Sequence, residues 1–297
     1  MTRPGDPFRF VTSDGLTLRG RRWGNGATQI VFTAGTGLPV ETYQAAFTPL
    51  FQAATILALN ARGHGGSDVP EKLENWDGLL NELREFIARE MRPPVIVCGH
   101  SRGALSCLQL AAESAQLVSG LLLLDPTIRL RRGDPQTEIP LPEEQELSDR
   151  TLRRRPTWTS RDEAGADLRD KGVYRPWEPE AFAAFLAAGL KDSPEGGVEL
   201  SCPPWLESQI FSRRPRSVVW EWADQVRVPA VILRGETSHL ALAPAIEDLA
   251  DAIPVATVIS VKGSHTFPQE QSRATGEALT FALSLLTRAG TAAEGAS

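Results

Sequence analysis

Cysteine is scarce in this 297-residue chain: Cys98, Cys107 and Cys202 are odd in number and show no C-x-x-C spacing. That argues against a disulfide framework and against a zinc site built on cysteines. Long apolar runs are also missing. The longest, "GLLLL" before Asp125, falls far short of the roughly 20 residues a membrane span needs. The N-terminal "MTRPGDPFRF" lacks the apolar stretch of a signal peptide, so a soluble cytoplasmic protein is the expectation. Positive charge is not in excess either, with a net charge of -6 and a pI near 5.4. No basic field would gather phosphates, which argues against nucleic acid as a partner. The sequence shows no metal-ligand cluster, no phosphate-binding glycine loop and no nucleotide motif, so neither cofactor nor metal is expected.

What is present is a chain 41% hydrophobic and 23% charged, with 25 Gly and 22 Pro. It is long enough for one large core carrying an inserted lid. "PFRFVTSDGLTLRGRRWG" reads as a hairpin turned at Asp14-Gly15. Short continuous apolar runs follow, starting at Ile30, Thr55, Val95, Leu117, Val228 and Ala256. Such runs suit strands covered on both faces. Between them lie helical periods such as "WDGLLNELREFIARE", "GALSCLQLAAESA" and "PAIEDLADAI". This alternation predicts an α/β fold, a mostly parallel doubly wound sheet of about eight strands with helices on both faces.

The alternation stops after the sixth strand. Residues 127–223 are rich in Arg, Glu, Pro and Trp and read as a helical cap. Residues 1–126 and 224–290 then form the core, and 291–297 a disordered tail. Trp158, Trp177, Trp205 and Trp220 fall in the cap, where aromatics either line an apolar pocket or pack the lid onto the core. Arginine clusters at Arg129, Arg131 and Arg132 and at Arg153, Arg154 and Arg155 lie near Glu143, Glu144, Glu146 and Asp149. They read as solvated faces or internal ion pairs.

Gly99-His100-Ser101-Arg102-Gly103 is a G-x-S-x-G motif between a predicted strand and a predicted helix. In that setting the turn forces the serine into an unfavourable conformation, and the glycines let strand and helix approach. The Ser101 hydroxyl then stands exposed beside a helix N-terminus that favours negative charge. Serine needs a base to become a nucleophile, and four histidines are available: His64, His100, His239 and His265.

Here the sequence resembles the α/β-hydrolase family over almost its whole length. "FTAGTGLPVETY" is similar to the family's oxyanion loop and "LNARGHGGSD" to the turn after the fourth strand. "GHSRG" resembles the nucleophile elbow and "VKGSHTFPQE" the histidine loop. The resemblance implies Ser101 as nucleophile, His265 as general base and His64 as loop support, with His100 pointing away from the hydroxyl. The place where the family carries its acid reads Gly235-Glu236-Thr237-Ser238-His239, without an aspartate. Asp125 at the preceding strand end, Glu236, or no acid at all remain open. The resemblance also implies an oxyanion hole from the backbone N–H of Arg102 and that of Thr36, with Leu38 as alternative to Thr36. Arg102 departs from the bulky or methionine residue usual there, and its side chain either forms an ion pair or reaches the pocket.

The implied activity is hydrolysis of a carboxylic ester, or a related acyl substrate with apolar groups, through an acyl-enzyme. A ligand-binding protein without turnover and an acyltransferase are the alternatives. Oligomeric state is not legible.

Overall fold

The computed structural model describes residues 5–128, 142–216, 218–241 and 243–294. The cluster at Arg129, Arg131 and Arg132 lies outside the described residues. In chain order the strands are β1 (Asp6–Val11), β2 (Thr17–Trp23), β3 (Thr28–Thr33), β4 (Ala54–Leu59), β5 (Val95–His100), β6 (Val118–Leu124), β7 (Thr157–Trp158), β8 (Leu190–Asp192), β9 (Val198–Leu200), β10 (Ala230–Gly235) and β11 (Ala256–Val261). The main sheet has eight strands in the order β1-β2-β4-β3-β5-β6-β10-β11. The hairpin β1–β2 and the pair β2–β4 are antiparallel, and every other pair in this sheet is parallel.

The helices are α1 (Gln44–Phe47), α2 (Asp77–Glu90), α3 (Arg102–Glu113), α4 (Pro142–Leu152), α5 (Arg161–Leu168), α6 (Pro179–Ala188), α7 (Pro204–Ser212), α8 (Val218–Gln225), α9 (Ala243–Ala252), α10 (Phe267–Glu270) and α11 (Ser272–Glu294). Successive side chains of a strand face opposite sides of a sheet, and the central runs are apolar on both. Val31, Val97, Leu121, Leu123 and Ile232 pack into one core with α2, α3, α8 and α9. Ile30, Phe32, Ile96, Cys98, Leu122, Leu124, Val231 and Leu233 pack into the other with α1 and α11. Double coverage of this kind requires near-continuous apolar strands, which is why the runs were legible. Among the described residues no helix is long and apolar enough to cross a membrane.

Three features differ from the sequence reading. The insertion between β6 and β10 is not purely helical: β7, β9 and β8 form a small antiparallel sheet. Its strands are two or three residues long, too short for a periodic signal. The insertion's last helix, α8, runs through the boundary expected between residues 223 and 224 and buries Val219, Trp220, Trp222 and Ala223 in the core. At the other end, α11 carries residues 291–294, expected to be disordered, as its last turn.

The parallel strands all end at one edge. His100 lies in register with Leu124, Leu124 with Leu233, and Gly235 with Val261. The loops leaving β5, β6, β10 and β11 therefore converge, as the crevice rule for open α/β sheets requires.

Candidate active site

Ser101 is the first residue after β5 and caps α3 with φ 54 and ψ -114. A non-glycine residue with such a backbone is strained, and the neighbouring glycines explain why it is tolerated. A Cβ on Gly99 would come within 2.2 Å of Gly103, and one on Gly103 within 2.3 Å of the Thr33 carbonyl oxygen. Strand and helix therefore meet at a distance only glycine allows. The Ser101 N–H is held by the Leu124 carbonyl at 2.9 Å, leaving the side chain half-buried at the helix N-terminus.

His265 follows β11 on a loop that Glu270 cages. The Glu270 carboxylate accepts from the Ser264 N–H at 2.9 Å, from the Ser264 hydroxyl, and from the Thr266 hydroxyl at 2.7 Å. The imidazole Nε2 lies 3.0 Å from Ser101 Oγ, and Nδ1 lies 2.6 Å from Asp125 Oδ2. Asp125 is completely buried with φ 42. Its Oδ1 accepts the Gly235 N–H at 2.7 Å and its Oδ2 the Ser238 hydroxyl at 2.5 Å. A carboxylate so supplied with donors takes the Nδ1–H of His265 and leaves the Nε2 lone pair facing the serine. Of the acids left open by the sequence, the fold brings Asp125 to His265, whereas Glu236 is exposed. His239 is exposed as well. Ser238 was missed, since one serine in a turn carries no sequence signal.

His100 does point away from the Ser101 hydroxyl, and it has partners the sequence did not reveal. Its Nε2 meets the His265 carbonyl at 2.8 Å, and its Nδ1 meets the Tyr43 hydroxyl at 2.7 Å. A carbonyl only accepts, so Nε2 carries the proton and Nδ1 accepts from Tyr43.

The loop after β3 packs directly on Ser101: a Cβ on Gly35 would lie 3.3 Å from the serine Cβ. The Gly35 N–H donates to the Tyr43 hydroxyl at 3.3 Å, and the Gly37 N–H to His64 Nε2 at 2.9 Å. The Leu38 N–H closes a turn onto the Gly35 carbonyl at 3.3 Å. Among the described residues no hydrogen bond takes up the N–H of Thr36 or of Arg102. Leu38, the alternative to Thr36, is thus engaged elsewhere. The Arg102 guanidinium is buried and donates to the Ala34 carbonyl at 2.6 Å. Of the two expectations for this side chain, an ion pair or a reach into the pocket, the ion pair is absent among the described residues, and the hydrogen bond goes to the main chain of the loop after β3.

The cap touches this loop through α7. The Glu207 carboxylate would lie 2.7 Å from a Cβ on Gly37, where φ is +75. Glu207 pairs with Arg154 at 2.5 Å, and Arg154 also donates to the Tyr174 hydroxyl at 3.0 Å. One arginine of the second cluster is thus an internal ion pair, while Arg155 pairs with Glu163 near the surface. Trp158, Trp177 and Trp220 are buried in packing clusters, and Trp205 is half-buried.

Burial and the Arg102 cation push His64 down to about 3. Burial, then His265, hold His100 well below the usual histidine range. Both sit below the ordinary value of 6.5, so neutral imidazoles support the fold above that pH. Their contribution is lost as pH falls, at about 1.4 kcal/mol per pH unit for each histidine. Urea denaturation at pH 7 and pH 5 is expected to show a loss of roughly 2–4 kcal/mol on that basis. Equal stability at the two pH values would contradict the neutral pair.

The model of the alpha/beta hydrolase family matches residues 30–278. A dihydrolipoyllysine-residue acetyltransferase component of the acetoin cleaving system of Cupriavidus necator is 32% identical over 123 residues, covering 40% of this chain and 32% of that protein. An esterase of Mycobacterium tuberculosis is 34% identical over 107 residues, covering 36% and 35%. These two matches span about a third of each relative's length. A 2-(acetamidomethylene)succinate hydrolase of Mesorhizobium japonicum is 24% identical over 282 residues, covering 89% of this chain and 90% of that protein. A crystal structure of an E-2-(acetamidomethylene)succinate hydrolase superposes with a TM-score of 0.78 at 22% identity, covering 94% of this chain and all (100%) of that one.

Proposed function

The chain belongs to the alpha/beta hydrolase family, and we propose that it is a serine hydrolase cleaving a carboxylic ester through an acyl-enzyme. One observation carries this reading: the unbroken hydrogen-bonded line from Ser101 Oγ through His265 to Asp125. It begins at a helix N-terminus, beside the N–H groups of Thr36 and Arg102, which no hydrogen bond takes up among the described residues.

In this mechanism Ser101 Oγ attacks the ester carbonyl carbon while His265 Nε2 takes its proton. Asp125 holds the imidazole in the required tautomer and stabilises its charged form. The carbonyl oxygen becomes an oxyanion between the N–H groups of Thr36 and Arg102, where preorganised donors act with little reorganisation. His265 then returns the proton to the leaving alkoxide. A water deprotonated by the same nitrogen attacks the acyl-enzyme and releases the carboxylic acid. The names of relatives, an esterase in one case and a succinate-derivative hydrolase in another, support hydrolysis. The apolar part of the substrate would lie toward the cap.

Short-chain p-nitrophenyl esters test the reading. Saturable turnover, with the free acid as product even when methanol is added, is expected. No turnover across a panel of acyl lengths would contradict it, and methyl esters as the main product would point to acyl transfer.

A further inference from the structure

We propose that the Arg102 side chain is a positioning residue that fixes the spacing between the two N–H donors of the oxyanion hole. This rests on the serine hydrolase reading above and deepens it at a position where the sequence left the side chain's role open.

The geometry is compact. The main chain of Arg102 carries one donor at the first position of α3. Its side chain turns back under β3, and Nη2–H donates to the Ala34 carbonyl at 2.6 Å, with a longer approach of 3.4 Å to the Thr33 hydroxyl. Ala34 stands two residues before Thr36, the source of the other donor. One residue thus supplies half of the hole and anchors the strand end from which the other half hangs. Two further anchors act on N–H groups of the loop: Tyr43 receives Gly35 and His64 receives Gly37. Those two bonds restrain the loop on either side of Thr36, while the Arg102 bond ties it to the helix that carries the nucleophile.

Stability alone does not explain this arginine. It is 2% exposed, and its Nε–H is buried without a hydrogen-bond partner among the described residues. Among those residues no carboxylate lies within ion-pair distance of it. Glu82, the charge that acts on it most strongly, accepts its hydrogen bonds from Arg62. A buried cation so poorly compensated costs folding free energy, and a well-packed apolar replacement of similar volume is commonly neutral or stabilising. A merely structural residue would show the reverse, losing stability on replacement and leaving the chemical step alone.

That contrast is the test. Arg102→Met and Arg102→Lys are compared with wild type in ester turnover, thermal unfolding and inhibition by phenylboronic acid. The boronic acid is trigonal and neutral in solution. Bound, its boron accepts a bond from Ser101 Oγ, the serine proton passes to His265, and a boron hydroxyl occupies the hole as an anionic tetrahedral mimic. Arg102→Met is expected to lower kcat roughly 10–100-fold, since misplacing reacting groups by about 1 Å costs on that scale. KM should change less than about threefold. Boronate inhibition should weaken in step with kcat, while the melting temperature stays level or rises. Arg102→Lys, which keeps a donor able to reach Ala34, should recover part of the loss.

Arg102→Met turning over within threefold of wild type overturns the proposal. So does a loss of activity that follows a lowered melting temperature with boronate affinity unchanged. A wild type without turnover overturns the serine hydrolase reading, and this inference with it. An active wild type beside an equally active Arg102→Met overturns this inference alone.

Discussion

Replacing Ser101 by alanine is expected to lower kcat for an activated ester by roughly 10⁵–10⁶-fold while KM changes little. The size of the effect follows from the geometry. The only nucleophile proposed for the reaction is the hydroxyl 3.0 Å from His265 Nε2, and alanine keeps the strained turn without it. What remains is water attack at a carbonyl still polarised by the Thr36 and Arg102 N–H groups, which leaves a residual rate above that in buffer. His265→Ala should fall in the same range, because serine and histidine act as one unit. The double variant should then be scarcely slower than either single one. Turnover by Ser101→Ala within tenfold of wild type would remove the serine from the chemistry.

Asp125→Asn is expected to lower kcat by about 10⁴-fold, with Glu236→Gln close to wild type. Asp125 gives His265 Nδ1 an acceptor at 2.6 Å and is itself held by the Gly235 N–H and the Ser238 hydroxyl. With both oxygens occupied by donors, an asparagine amide turned toward His265 presents an N–H where the imidazole needs an acceptor. The ring then protonates Nε2, and the nitrogen facing Ser101 becomes a donor rather than a base. Glu236 is exposed on the next turn, so its amide changes nothing the base can sense. The reverse order of effects would move the acid to Glu236. Two near-neutral results would leave a serine–histidine pair working without an acid.

The parts of this molecule that were legible from the sequence are those whose signal is local. Six apolar runs mark the parallel strands; those inside the sheet are apolar because both of their faces are covered, while β11 at the edge is largely exposed. Helical periods between them fix the winding. The glycines at 99 and 103 mark a turn because the close approach they permit is built into a five-residue motif. Other features depend on partners far away in the chain and leave no such trace. Asp125 could not be separated from Glu236, because what distinguishes them is the meeting of β6 with β10, which brings Gly235 and Ser238 to one carboxylate. The bonds of His100 to Tyr43 and to the His265 carbonyl span 57 and 165 positions. The Arg102 side chain reaches back 68 positions to Ala34. The small sheet of the insertion escaped for the opposite reason: its strands are too short to show a period.

Intact-mass analysis after incubation with a fluorophosphonate, followed by peptide mapping, tests the central claim most directly. Phosphonylation needs a serine oxygen activated by a base and an anionic tetrahedral product held by donors, so it reports on the assembled group without knowledge of the substrate. A single adduct on Ser101 is expected, absent in Ser101→Ala and formed far more slowly in His265→Ala. An adduct on another residue, or ester turnover by a protein that stays unlabelled at position 101, would contradict the account.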